Sequence, residues 1–247
     1  MDVVWQVLIV AVASDLATGL GALPFAFVPA LAPRLEGWAS ATAGGMMLSA
    51  SVFALAGKAL AVGGVWPVSA GLLAGAVFFA ITARLVSGRE WQIHSLTGAD
   101  ARRAVLIVVA MFVHSIPEGV AIGVGYATGE LRFGLLLGLA IALHNIPEGV
   151  AVTLPLRSRG VPLWACAGYA ILTSLPQPLL AVPSYLLVES FQRLLPVGLG
   201  FAGGAMIFLV AAELLPQSLE RCSPYETAWG VMIGLLVMLW LTTGLGL

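Results

Sequence analysis

Long apolar stretches, separated by short charged or Pro/Gly-rich connections, run the length of this chain. A helix that crosses a membrane needs about 20 mostly apolar residues, and the sequence offers eight such stretches. The predicted spans are residues 3–30, 38–57, 65–86, 102–127, 132–156, 161–188, 194–218 and 224–247. The longest connection is 87–100, which leaves no room for a soluble domain. The pattern predicts an all-α, polytopic membrane protein in which residues 1–247 form one transmembrane bundle of eight helices.

The composition agrees with this prediction. Hydrophobic residues make up 60% of the chain and charged residues 9%, whereas a soluble domain carries about 25% charged residues. The net charge of −1 gives no reason to expect a nucleic-acid partner. Cys166 and Cys222 lie far apart and have no zinc-finger spacing. The lipid bilayer is therefore the expected surrounding of the chain.

The distribution of lysine and arginine predicts the orientation. Eight lie in the connections on one side of the predicted bundle: Arg34, Arg84, Arg89, Arg102, Arg103, Arg157, Arg159 and Arg221. Three lie on the other side: Lys58, Arg132 and Arg193. Because positive residues concentrate in cytoplasmic loops, we expect the first set to face the cytoplasm. Both termini then lie outside the cytoplasm, and the cell membrane is the expected location.

A duplicated motif interrupts the apolar pattern of the fourth and fifth spans. The stretches HSIPEGVAIG, from His114, and HNIPEGVAVT, from His144, are identical at seven of ten positions. An ionisable residue inside a membrane costs about 2.5–3.5 kcal/mol on insertion scales, so it indicates a functional site by default. Each of these spans carries two such residues in the same order, which is difficult to explain as an accident.

The spacing within the motif suggests how the two helices meet. Histidine and glutamate four residues apart lie on one face of a helix. Pro117 and Pro147 are predicted to kink the fourth and fifth helices, and Gly119 and Gly149 allow another helix to approach closely. We therefore expect two kinked helices to direct four side chains at one cation. These side chains are His114, Glu118, His144 and Glu148.

The residue types narrow the choice of metal. Two imidazoles and two carboxylates suit Zn²⁺, Fe²⁺, Mn²⁺ and Cd²⁺, whereas Ca²⁺ and Mg²⁺ prefer oxygen ligands alone. Asn145 directly follows His144 and could add an amide oxygen, and Ser115 holds the same place in the first repeat. We expect no cofactor other than this metal ion.

Two further polar residues lie in predicted spans. Gln177 lies between Pro176 and Pro178 in the sixth span, and such a break implies backbone that lines a cavity. Its amide either forms a third wall of the metal site or satisfies the broken helix. Glu213 lies near the cytoplasmic end of the seventh span, and it is interpreted as a solvated carboxylate at a helix end.

These residues resemble the ZIP (Zrt/Irt-like) metal transporters, and within them the GufA-like branch. HSIPEG and HNIPEG stand at the signature places of that family, and SATAGGMMLSAS (40–51) and GGAMIFLVAAELLP (203–216) resemble its second and seventh spans. The resemblance implies a main metal site made of His114, Glu118, His144 and Glu148. It implies a second site beside it made of Ser115, Asn145 and Gln177, with both glutamates shared. It also suggests a homodimer.

The chain departs from that family at the second site. Many relatives have Asn in place of Ser115 and Glu in place of Gln177, and some have Asp in place of Asn145. Without these extra carboxylates we expect one firmly held ion and a second position that is weak or vacant.

The expected function is a membrane transporter, not an enzyme, that moves a divalent transition metal, most of all Zn²⁺, into the cytoplasm. One alternative is an intramembrane metallohydrolase, but the HExxH motif that such an enzyme needs is missing from the sequence. The other alternative is a metal-conducting channel.

Overall fold

The computed structural model of this chain describes residues 2–27, 33–87 and 99–245. Most of the longest connection (87–100), including His94, lies outside these residues. Throughout the described ranges the regular secondary structure is helical. The helices of the first four spans are Val3–Leu20 with Pro24–Phe27, then Pro33–Ser49, Ala50–Ala56 and Gly57–Gly63, then Val65–Ser87, then Ala99–Tyr126. The helices of the last four are Leu131–Arg157, then Leu163–Ser174 with Pro176–Ser190, then Gln192–Leu194, Leu195–Leu209, Val210–Leu214 and Leu215–Leu219, then Pro224–Leu245.

The described helices confirm a polytopic all-α membrane protein. Seven helical segments are long and apolar enough to cross a membrane, and the 28-residue helix Ala99–Tyr126 corresponds to the remaining predicted span. Large apolar side chains such as Trp5, Leu73 and Trp164 are exposed on the outside of the bundle. Such exposure suits a lipid surrounding, because lipid tails are as apolar as these side chains.

The second span is longer than predicted at both ends. Charges at Glu36 and Lys58 suggested its limits, but both residues lie within helices. Glu36 is buried and contacts Gln217 and Arg221 of the seventh span and the connection that follows. Lys58 pairs with Glu130, between the fourth and fifth spans. These partners offset the charges, so the helix continues past them.

Two spans contain a local irregularity. A π-helical stretch, Ala50–Ala56, lies within the second span, and another, Val210–Leu214, lies within the seventh. Short π-helical segments inside α-helices often occur at functional sites. The sixth span is divided at Leu175, where one helix ends at Ser174 and the next begins at Pro176, as the paired prolines predicted.

The eight spans pack as two groups of four. The first, fourth, fifth and sixth spans contact mainly one another, and so do the second, third, seventh and eighth. The two groups meet where the fourth span lies against the seventh and the fifth lies against the second. The repeated motif therefore lies within one group, close to its boundary with the other.

Glycines allow the closest packing in the group made of the second, third, seventh and eighth spans. A Cβ atom added at Gly75 of the third span would overlap the backbone carbonyl of Phe201 in the seventh. A Cβ added at Gly204 would overlap the carbonyl of Leu72 in the same way. Small residues thus allow the two backbones to touch, as is usual where membrane helices pack closely.

Candidate metal site

The two repeats lie on neighbouring helices, the fourth (Ala99–Tyr126) and the fifth (Leu131–Arg157). Both helices continue through their prolines, and the kink expected there stays a prediction. The ionisable side chains of the repeats are at most 2% exposed: His114, Glu118, His144 and Glu148. Groups that prefer water are therefore held inside the bundle.

The glycine after each glutamate brings a further helix against the repeat, as predicted. A Cβ atom on Gly119 would lie 2.8–2.9 Å from backbone atoms of Gln177 and 2.9 Å from the carbonyl oxygen of Pro176. A Cβ on Gly149 would overlap the carbonyl of Thr18 in the first span. The first and sixth spans thus close around the fourth and fifth.

Three of the four repeat side chains form one cluster, which we call the carboxylate–imidazole cluster. Ligand atoms of Glu118, His144 and Glu148 all lie within 4.8 Å of one another. The Nε2 atom of His144 is 3.0 Å from Oε1 of Glu118. Two carboxylates and one imidazole at this separation match the ligands that borderline divalent metals prefer. A divalent ion would also neutralise two buried negative charges.

The fourth predicted ligand, His114, lies beside this cluster and faces another acid. Its Nε2 atom is 3.5 Å from Oε2 of Glu213, and its ring packs edge-on against Phe79, with centroids 5.4 Å apart. Glu213 lies in the π-helical stretch of the seventh span, and its side chain is 32% exposed. The sequence interpretation of Glu213 as a helix-end carboxylate missed this contact. A carboxylate inside an apolar span was the signal that could have revealed it.

Asn145 and Gln177 join the cluster through hydrogen bonds. The Nδ2 atom of Asn145 donates to the carbonyl oxygen of Ser14 at 2.9 Å and to Oε1 of Gln177 at 3.2 Å. The Nε2 atom of Gln177 in turn donates to Oε2 of Glu118 at 2.7 Å. This chain of hydrogen bonds links the first, fifth, sixth and fourth spans, and all of its side chains are buried.

Ser115 makes a different contact from Asn145, which holds the same place in the second repeat. Its hydroxyl is buried and donates to the carbonyl oxygen of Met111 on its own helix, at 3.4 Å. Asn145, at the equivalent place, instead bonds to two other spans. The structure therefore places Asn145 and Gln177 in contact with neighbouring elements of the site and turns the Ser115 hydroxyl towards its own backbone.

Several buried polar atoms of the fifth helix have no hydrogen-bond partner among the described residues. Three of them lie in the HNIPEG stretch: Nδ1 of His144, Oδ1 of Asn145 and Oε1 of Glu148. Leaving a buried polar atom unpaired costs about 1–3 kcal/mol, so such atoms usually have a ligand, water or ion. Two of the three are oxygens that a cation would satisfy. The donor set thus fits a divalent metal ion.

Comparison with known proteins identifies one family. The family model described as ZIP Zinc transporter matches residues 90–242, which include both repeats and Glu213. A putative zinc transporter of Arabidopsis thaliana is 43% identical over 231 residues, which are 92% of this chain and 37% of that protein. This chain therefore spans little more than a third of the Arabidopsis relative.

Two bacterial relatives match over more of their own length. The zinc transporter GufA of Myxococcus xanthus is 32% identical over 258 residues, covering 97% of this chain and 98% of that protein. The zinc transporter ZIPB of Bordetella bronchiseptica is 35% identical over 241 residues, covering 93% and 78%. The similarity thus extends across nearly the whole of this sequence.

Proposed function

This chain belongs to the ZIP zinc transporter family, and on that premise we propose that it carries a divalent transition metal, Zn²⁺ above all, into the cytoplasm. The observation that carries the proposal is the buried cluster of Glu118, His144 and Glu148, whose ligand atoms lie within 4.8 Å of one another. The family indicates a transporter rather than an enzyme. The Arabidopsis, Myxococcus and Bordetella relatives, which are all described as zinc transporters, support Zn²⁺ as the cargo.

In this proposal the ion is held first by the carboxylate–imidazole cluster. The unpaired Oδ1 atom of Asn145 and the unpaired Oε1 atom of Glu148 supply oxygens that only a cation or a proton donor can satisfy. Nitrogen and oxygen ligands without thiolate bind Zn²⁺ through bonds of about 2.0–2.2 Å. Such ligands exchange readily enough for an ion that must leave again.

His114 and Glu213 form the next binding position on the route of the ion. In the orientation predicted from the arginines and lysines, the fourth span runs from the cytoplasm outward, so His114 lies one turn nearer the cytoplasm than Glu118. Glu213 lies in the cytoplasmic half of the seventh span, and its side chain is partly exposed. An ion that leaves Glu118 towards the cytoplasm therefore meets an imidazole–carboxylate pair.

The same orientation sets the driving force. With both termini outside and the cell membrane as the location, entry moves two positive charges down the membrane potential. Each charge contributes about 2.3 kcal/mol per 100 mV, or about 4.6 kcal/mol for a dication. The potential alone thus favours uptake over release.

Zinc uptake by the purified chain in proteoliposomes tests this function. We expect saturable entry of Zn²⁺, with competition from Cd²⁺, Fe²⁺ and Mn²⁺. Glu118→Gln and Glu148→Gln should each reduce entry to that of protein-free vesicles, because each removes one buried negative charge from the cluster. The matched control is Glu220→Gln, which changes an exposed carboxylate in the connection before the eighth span.

The outcomes are distinct. Full uptake by both cluster variants would refute the assignment of the site. Flux that rises without saturation would identify a channel instead of a carrier.

A further inference from the structure

Asp15 is a buried carboxylate that the proposed route of the metal does not use. It lies well inside the first span, in the helix Val3–Leu20, and is 6% exposed. Its Oδ1 atom is buried and has no hydrogen-bond partner among the described residues. An ionisable residue inside a membrane span is costly and indicates a functional site by default. The surroundings of Asp15 show which ligand would offset this cost.

The spans around Asp15 offer it no positive side chain. The first span packs against the fourth, fifth and sixth spans. Over their membrane-spanning parts these four spans have no lysine or arginine in the sequence, at residues 3–27, 104–126, 133–156 and 163–190. Their two histidines, His114 and His144, face Glu213 and Glu118 instead. A positive partner for Asp15 therefore comes from outside these spans.

Asp15 is placed opposite the break in the sixth span. Thr18 and Gly19 lie three and four residues further along, on the same face of the helix as Asp15. The hydroxyl oxygens of Thr18 and Ser174 are 2.6 Å apart, and a Cβ atom on Gly19 would lie 2.9 Å from the side chain of Ile171. The two spans thus run antiparallel here, so a residue before Thr18 lies opposite residues that follow Ser174.

The break adds unsatisfied oxygen atoms to this part of the bundle. Pro178 has no N–H group, so the carbonyl oxygen of Ser174 lacks its usual α-helical donor. Ser174 is also the last residue of the helix Leu163–Ser174, and the C-terminal end of a helix carries a partial negative charge. The Asp15 carboxylate, this carbonyl and the hydroxyls of Thr18 and Ser174 form a set of oxygen ligands with one negative charge.

The chemistry of this set favours a monovalent metal ion. Oxygen ligands without imidazole or thiolate suit hard cations. A single positive charge neutralises one carboxylate, whereas a divalent ion would leave an uncompensated charge in the bundle. A proton would satisfy Oδ1 of Asp15 alone and leave the carbonyl oxygen of Ser174 without a partner. In other transporters, the carbonyls of broken membrane helices coordinate Na⁺.

We propose that Asp15, Thr18 and Ser174 bind a Na⁺ ion that joins the first span to the break in the sixth. This sodium site shares no ligand with the carboxylate–imidazole cluster and does not depend on which metal the protein moves. The residue next to Asp15 is Ser14, whose carbonyl oxygen accepts a hydrogen bond from Asn145. The Na⁺ ion therefore also holds the segment of the first span to which Asn145 is bonded.

Binding of radioactive Na⁺ to the purified chain tests the site directly, with choline replacing Na⁺ at constant ionic strength. We expect saturable binding of one Na⁺ per chain. Asp15→Asn keeps the shape of the side chain and removes its charge, so bound Na⁺ should fall to the level of a protein-free sample. The matched control is Asp2→Asn, which makes the same change at an exposed residue and should bind Na⁺ normally. Equal binding by the two variants, or no binding by the unaltered chain, would overturn the inference.

Thermal unfolding in detergent reports the same site and shows whether Asp15→Asn is folded. A ligand that binds only the folded state stabilises it. Replacing choline by Na⁺ should therefore raise the unfolding temperature of the unaltered chain and of Asp2→Asn, but not that of Asp15→Asn. An unfolding temperature that changes with pH through Asp15 and is unaffected by Na⁺ would identify a proton at this site and overturn the inference.

Glu118→Gln separates the sodium site from the proposed function. This variant alters the carboxylate–imidazole cluster and should still bind one Na⁺ per chain. Loss of Na⁺ binding in a folded Glu118→Gln variant would place the ion in the cluster and overturn the inference. Absence of Zn²⁺ uptake by the unaltered chain, with Na⁺ binding that depends on Asp15, would refute the proposed function alone.

Discussion

The buried carboxylates of Glu118 and Glu148 determine the chemistry of the site. They are 0% and 2% exposed, and their ligand atoms lie within 4.8 Å of each other and of His144. Two carboxylates at this distance in a medium of low polarity need a cation or a proton between them. The hydrogen bond from Gln177 satisfies one oxygen of Glu118, whereas Oε1 of Glu148 has no partner in the described part of the chain. This oxygen of Glu148 is thus available to bind an ion.

Asn145 and Ser115 occupy equivalent places in the two repeats, and they provide a matched pair of variants. Asn145→Ala removes an unpaired oxygen and the hydrogen bonds that the amide nitrogen donates to Ser14 and Gln177. We expect it to weaken Zn²⁺ binding about 10–100-fold, as the loss of supporting groups around a metal usually does. Ser115→Ala removes a hydroxyl that bonds its own helix and should change the affinity less than about twofold. Titration calorimetry compares the two variants, and equal losses of affinity would contradict the different roles of Asn145 and Ser115.

Glu213 should affect the rate of transport more than binding. Glu213→Gln removes the charge that faces His114 but leaves Glu118, His144 and Glu148 unchanged. We expect uptake to slow by about tenfold or more, while the cluster still binds one Zn²⁺ per chain. Uptake by proteoliposomes and zinc content after dialysis measure the two quantities, with Glu220→Gln as the exposed control. A normal uptake rate would remove Glu213 from the route.

Part of the site follows from the local sequence and part does not. The spacing of histidine and glutamate within one helix predicts that Glu118 and Glu148 are directed inward, since a helix fixes which residues share a face. The contact of His114 with Glu213 joins residues of different spans. The same holds for the bond from Gln177 to Glu118. Such contacts depend on how helices rotate against one another, which no local pattern specifies.

At the scale of the helices, the long apolar stretches and the charged or Pro/Gly-rich connections between them located the spans. The paired prolines correctly marked the break in the sixth span. The errors lie at charged residues. Glu36 and Lys58 fall inside the second span because partners from other parts of the chain neutralise them. The π-helical stretches Ala50–Ala56 and Val210–Leu214 had no sequence signal that we recognised. Glu213, which faces His114, lies in the second stretch.

The packing of the third span on the seventh predicts that replacing Gly75 destabilises the bundle, whereas replacing Gly168 in the sixth span does not. Gly75→Ala forces a methyl group into the carbonyl of Phe201, which should destabilise the bundle by about 1–3 kcal/mol. Gly168→Ala places the methyl group in open space and should be neutral or stabilise the sixth span by up to about 1 kcal/mol. Thermal unfolding in detergent compares the variants. Equal melting temperatures would show that the two helices are not packed this closely.

At the scale of the whole molecule, the candidate site lies in one group of spans, close to its boundary with the other group. The carboxylate–imidazole cluster belongs entirely to the fourth and fifth spans, whereas Glu213 belongs to the seventh, in the other group. An ion that passes from the cluster to Glu213 therefore crosses from one group to the other. The sequence predicted the number of spans, but not this grouping, because exposed and buried helix faces are both apolar in a membrane protein.

The proposed orientation predicts which side of the membrane each connection faces. In a Cys166→Ala, Cys222→Ala background, which removes both free cysteines, we consider Asp2→Cys and Glu220→Cys, both at exposed positions. An impermeant maleimide should label residue 2 in intact cells and residue 220 only after permeabilisation. The reverse pattern would invert the orientation and with it the direction of the proposed route.

The central claim is that one divalent ion is held between the fourth and fifth helices. Anomalous diffraction at the zinc edge, from crystals of the unaltered chain loaded with Zn²⁺, locates the ion without any assay of transport. We predict one strong peak within about 2.0–2.2 Å of a ligand atom from each of Glu118, His144 and Glu148. A peak elsewhere in the bundle with this cluster empty, or no peak inside the bundle, would contradict the account.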